Sequence, residues 1–123
     1  MATKEKEKEV IYQIGKGAAV IKASVDVGLG QEGFVSMALD DKKLFPGVKR
    51  APLARQSLGK ASALLEKFLI VETRVSDVSK MTNKMSVTVN LTGAAEGKKV
   101  VTTDEVEKDG DEIRFRTFVL FQE

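Results

Sequence analysis

From Phe68 onward, apolar and polar residues alternate along the chain. Leu69, Val71, Thr73 and Val75 alternate with Ile70, Glu72, Arg74 and Ser76, and Met85, Val87, Val89 and Leu91 alternate with Ser86, Thr88, Asn90 and Thr92. A period of two places each set on one face of an extended strand. The polar stretch Asp77 to Lys84 between them, with Thr82-Asn83, predicts a hairpin. Ala19, Ile21, Ala23, Val25 and Val27 alternate in the same way, as do Val35, Met37 and Leu39, and the glycine-rich 28–33 between them predicts a second hairpin. Asp109-Gly110 between Lys99–Glu107 and Glu112–Phe121 predicts a third. In the last strand Ile113, Phe115, Thr117, Val119 and Phe121 share one side while Phe118 and Leu120 lie opposite, so a central strand covered on both faces is expected. Val10 to Ile14 reads as a first strand ended by Gly15 and Gly17, and Gly93 to Gly97 as a further turn.

Two stretches break the pattern. Asp40 to Arg55 holds both prolines, Pro46 and Pro52, and is expected to be an irregular crossing loop. Ser57 to Lys67 fits either a short helix, through Leu58, Ala61, Leu64 and Leu65, or the lead-in to a strand, and Gly59 weakens the helical reading. The opening Lys4-Glu5-Lys6-Glu7-Lys8-Glu9 has no apolar face, so residues 1–9 are expected to be a flexible charged arm and 10–123 a single β domain. About seven short strands with turns between them predict an all-β, antiparallel two-layer β-sandwich, with a small barrel as the alternative. The pair of strands from Phe68 to Gly93, joined by a polar turn, looks like strand pairs of immunoglobulin-like domains. That resemblance covers about a quarter of the chain, lacks the paired cysteines and core tryptophan of antibody domains, and implies a shape and no function.

Composition narrows the chemistry. The 123 residues, 42% hydrophobic and 31% charged, suit one folded core. A net charge of +2 is too small for a field that steers nucleic acid to the whole molecule. Cysteine and histidine are both absent, which removes disulfides, thiolate metal sites, cysteine nucleophiles and the commonest general base and metal ligand. The expectation is therefore no enzyme, no cofactor and no metal. No apolar run approaches the length of a membrane span, and Lys-Glu alternation stands where a secretory signal would be apolar, so a soluble cytoplasmic protein is expected.

Four motifs touch on chemistry. Gly28, Gly30 and Gly33 carry the spacing of a dinucleotide fingerprint, but that mechanism needs a helix starting at the glycines, and Phe34 to Leu39 alternates as a strand. Ser57 and Lys60 match a serine-x-x-lysine motif that works only on a helical turn with partner motifs this chain lacks. The acidic set Asp104, Glu105, Glu107, Asp109, Asp111 and Glu112 offers oxygens to a divalent cation, although strand alternation sends neighbours to opposite faces. Finally, Lys42, Lys43, Lys49, Arg50, Arg55 and Lys60 occupy a stretch with no acidic residue and are the candidate contacts for an anion or a protein partner. Phe45 is its only aromatic, too few for stacking of single-stranded nucleic acid.

The leading functional expectation is a non-enzymatic binding or assembly module acting through protein contacts, either with a partner or with itself. The alternatives are a small-molecule carrier with a pocket between the sheets, lined by Phe34, Met37, Phe115 and Phe118, and an anion or nucleic-acid contact through the basic loop 42–60.

Overall fold

The computed structural model describes residues 2–123. Its strands are β1 (Thr3–Gln13), β2 (Val20–Gly28), β3 (Glu32–Leu39), β4 (Lys42–Lys43), β5 (Lys49–Arg50), β6 (Leu53–Lys60), β7 (Phe68–Ser76), β8 (Lys84–Thr92), β9 (Lys98–Glu105) and β10 (Glu112–Gln122), with one helical turn, α1 (Ala61–Leu64). They form two packed sheets, a β-sandwich. The six-stranded sheet runs β1-β10-β7-β3-β4, with β5 also paired to β3, and the four-stranded sheet runs β6-β2-β8-β9.

Alternation determined which residues are inside. Val35, Met37, Leu69, Val71, Phe115 and Phe121 of the larger sheet face Ile21, Val25, Met85, Val89 and Leu91 of the smaller, all at most 2% exposed. Each such side chain contributes about 1.5–3 kcal/mol through burial, so this shared interior is the main force joining the sheets. Thr73 also points inward, and its buried hydroxyl has no hydrogen-bond partner among the described residues. β10 is central, between β1 and β7, as its apolar character predicts.

All three predicted hairpins are corrected. β2 and β3, β7 and β8, and β9 and β10 each lie in different sheets, so the glycine-rich 28–33, the polar 77–84 and the Asp-Gly segment are arches across the interior. The pair of strands that resembled immunoglobulin-like pairs is thus split between the two layers. Only β8 and β9, joined through Gly93 to Gly97, form an antiparallel hairpin among these four connections. The three arches gather at one end, where Gln31 of the first is stitched to the second. Its amide nitrogen donates to Asp77 Oδ1 at 2.8 Å and to the Thr82 and Lys84 carbonyls at 3.0 Å, while its oxygen accepts from the Val78 and Ser79 amides at 2.8 and 2.9 Å.

The opening segment is also corrected. Residues 3–9 are no arm: they pair in parallel with β10 as the first part of β1, from Thr3 opposite Glu112 to Glu9 opposite Phe118. Their alternation is one of charge sign. Glu5 and Glu7 meet Arg114 and Arg116 on the outer face of the larger sheet, while Lys4 and Lys8 reach over to β9, donating to Asp104 Oδ1 at 3.0 Å and the Val101 carbonyl at 3.1 Å. Tyr12 continues this line with a 2.8 Å bond to the Glu96 carbonyl. Side chains four residues apart on one strand face therefore strap the two sheets together along this lateral edge.

In the stretch expected to be irregular, β4 and β5 add two-residue pairings to β3, and β6 begins already at Leu53. The ambiguous Ser57 to Lys67 resolves as both readings in succession: β6 runs to Lys60, then α1 buries Ala61 and Leu64 under the opposite end of the core.

Candidate functional site

A sheet face turned away from the core is ordinarily polar. On the larger sheet that rule holds for one half only. Register aligns Glu5, Arg114, Arg74, Phe34 and Arg50 in one row from β1 to β5, and Glu7, Arg116, Glu72 and Ser36 in the next. Here Arg114 lies 3.5 Å from Glu5 and 3.2 Å from Glu72, and Arg116 lies 3.6 Å from Glu7 and 3.5 Å from Glu72. Arg74 donates to Glu112 at 2.9 Å, and this bond, with the carboxylate's charge, raises the guanidinium above its ordinary value. Cross-strand pairs of opposite charge favour this register, though each exposed pair is worth no more than about 1 kcal/mol.

The third row runs Glu9, Phe118, Ile70, Ala38 and Lys43, and beyond it Ile11 sits beside Leu120 and Phe68, with Asp40 accepting the Phe68 amide at 2.9 Å. The interior of these rows is apolar. Ile11 is 51% exposed and Phe68 48%, while Phe118, Leu120 and Ile70 are half-buried. Phe68 and Phe118 form a ridge with a groove on either side. The groove toward β1, about 610 Å³, adds Ile11, Leu120, Glu9 and Lys98; the groove toward β4, about 400 Å³, adds Ile70, Asp40 and Asp41. Phe118 and Leu120 were expected under a second covering layer. They are instead the partly exposed outer face of the sandwich.

The six basic candidates fall on the opposite lateral edge from β1. Lys42 and Lys43 form β4, Lys49 and Arg50 form β5, and Arg55 and Lys60 lie on β6, the edge strand of the smaller sheet. All six are exposed. Lys49 sits 4.5 Å above the Phe45 ring, and Arg50 pairs with Glu32 at 3.2 Å.

The remaining candidates do not converge. Asp104 pairs with Lys4, Glu112 with Arg74, and the Asp111 carboxylate accepts the Ala2 amide at 2.9 Å. Partial burial pushes the Asp104 carboxyl up, but the Glu105 amide together with Lys4 and Lys6 outweighs it and holds the carboxyl below its ordinary value. Asn83 turns its amide nitrogen to Asp77 Oδ2 at 2.8 Å and Asp109 Oδ1 at 3.0 Å. Among the described residues no group of three acidic side chains is placed to hold a metal ion. Ser57 and Lys60 lie on the extended β6, and Gly28, Gly30 and Gly33 are followed by strand β3, so neither motif has the helix its chemistry needs. Of the four residues suggested to line an internal pocket, Met37 and Phe115 are packed in the interior, whereas Phe34 and Phe118 lie on the outer face. The four therefore line no common cavity.

Sequence reasoning missed the apolar rows. Ile70, Phe118 and Leu120 stood in the outward phase of their strands, but only strand register brings them beside Ile11 and Phe68. Among the described residues no helix is long and apolar enough to cross a membrane. No protein-family model, curated protein or solved structure matches the chain.

Proposed function

We propose that the protein is a non-enzymatic assembly module that binds another polypeptide through the outer face of its larger sheet. One observation carries this reading: a continuous apolar band, with Phe68 and Ile11 about half exposed, occupies a sheet face whose other half is a ladder of paired charges. Exposed apolar surface of this kind, rimmed by polar residues, marks interaction sites. Two aromatic rings at the centre of a patch are also the usual anchors of a protein interface. A non-catalytic role is supported by the composition, which offers no cysteine and no histidine, and by the engagement of Glu72, Arg74, Arg114 and Arg116 with one another and their neighbours in structural pairs.

Tagged protein recovered from cells that make it should elute in a complex heavier than its own 13.4 kDa. Phe68→Glu should release the complex while leaving the fold, read by circular dichroism, unchanged. Recovery of the wild type as a lone chain of monomer mass would refute the proposal.

The arrangement of Lys42, Lys43, Lys49, Arg50, Arg55 and Lys60 along one lateral edge favours a second reading, a contact with an anionic surface. Its strength would come from charge alone and would fall steeply with salt.

A further inference from the structure

We propose that the polypeptide bound by this face is a second copy of the same chain, stacked face to face about a two-fold axis running along β7. The inference rests on the protein-binding reading above and names its partner. β7 is the middle strand of the row β1, β10, β7, β3, β4/β5, so a two-fold parallel to it lays β10 over the partner's β3 and β1 over its β4 and β5. An isologous interface makes every contact twice; under this axis the row from Glu9 to Lys43 is self-complementary, whereas the row of Ile11, Leu120 and Phe68 sets Leu120 over Asp40 of the other copy.

In the apolar row, Glu9 stands at one edge and Lys43 at the other, with Phe118, Ile70 and Ala38 between them. The two-fold places Glu9 over Lys43 of the other copy and the large Phe118 over the small Ala38, each twice. Ile70 and Phe68 meet their own counterparts near the axis. In the first row, Glu5 and Arg50 occupy the corresponding ends, and Arg114 falls over Phe34. That arrangement sets acid over base again, but Glu5, Arg50 and Arg114 are each already paired within their own copy, so this row adds little. The axis also brings Glu72 and Arg74 against their own copies, but each is already neutralised within its sheet, Glu72 by Arg114 and Arg116 and Arg74 by Glu112.

Four strands at about 4.8 Å by nine residues at about 3.3 Å, with the short β4 and β5 beside them, give a face of roughly 600 Å², at the small end of the roughly 600–1,000 Å² per partner buried in stable associations.

Sedimentation of the purified full chain over a range of concentrations tests the proposal. The wild type should dimerise, and Ala38→Glu, which sets a charge under Phe118 of the partner, should weaken the dimer more than tenfold. Glu9→Lys and Lys43→Glu should each weaken it, and the double exchange should restore it, because the two positions face each other across the interface. A chain that stays monomeric at the highest attainable concentration would overturn the proposal, as would a dimer indifferent to Ala38→Glu or a double exchange no tighter than the single variants. The two readings fail separately. A monomeric purified chain that nevertheless joins a heavier complex in cells, dissolved by Phe68→Glu, removes the self-partner and leaves the protein-binding reading in place; a heavier complex untouched by Phe68→Glu removes both.

Discussion

Gly93 closes the β8 end of the hairpin to β9 with φ +112°, a backbone conformation that L side chains rarely adopt. An added Cβ would overlap the Val20 carbonyl oxygen, lying 3.0 Å from the Val20 carbonyl carbon and 3.1 Å from Ile21 Cα. These are backbone atoms of the neighbouring β2, which cannot swing aside as a side-chain tip would. Gly93→Ala therefore combines two costs: about 1–3 kcal/mol of backbone strain and about 1–3 kcal/mol to displace packed atoms. We expect a loss of about 4 kcal/mol. Gly110 is the internal control, since its φ of +85° is also left of the ordinary range but a Cβ there meets nothing within 4 Å. Gly110→Ala should cost only its conformational strain, about 1–2 kcal/mol, partly offset by the stiffer unfolded chain. Urea unfolding with a common slope would measure both, and at about 4 °C per kcal/mol the melting temperatures should differ by about 10 °C. If Gly93→Ala proves no more costly than Gly110→Ala, the close approach of β2 to this turn is wrong.

The other expectations concern polar groups. Gln31→Ala strips partners from the Asp77 carboxylate, 4% exposed, and from two arch amides, and should destabilise by about 2–3 kcal/mol in urea titration; a loss below about 0.5 kcal/mol would deny the arches their shared tie. Thr73→Val replaces a buried, unpartnered hydroxyl with a methyl of the same shape and should stabilise the fold by about 1 kcal/mol, whereas destabilisation would show that the hydroxyl is satisfied. Asp104 has a lowered carboxyl, so its contribution to stability is complete above the unfolded carboxylate value, near 3.9, and is lost as pH falls through the folded one. Lys4→Met should therefore reduce stability at neutral pH, and its deficit against the wild type should shrink below about pH 4; a deficit that grows with acidification would contradict the strap. If the basic edge binds anions, retention on heparin should fall with salt and with Lys49→Gln plus Arg50→Gln, and retention unaffected by both would count against it.

The amino-acid sequence by itself determined the two-layer β architecture and the inward face of most strands. A period of two is a property of each strand alone, and burying one greasy face needs no knowledge of the neighbour. That is why Leu69, Val71, Met85, Val87, Phe115 and Val119 are inside as expected. Strand partners were decided only by the tertiary structure. Sheets stand about 10 Å apart and neighbouring strands about 4.8 Å, and even the three residues Leu29 to Gln31 can span either distance at about 3.3 Å each. A turn signal therefore marks a reversal without saying whether the chain returns beside itself or across the core, and three arches were read as hairpins. The opening strand was hidden for a related reason. Its alternation is in sign of charge, and it became visible as a strand only when Arg114 and Arg116 on one side and Asp104 on the other supplied the partners. The candidate face shares that origin: Ile11, Phe68, Ile70, Phe118 and Leu120 come from three strands scattered along the chain, and only the register of β1, β10 and β7 makes them one surface.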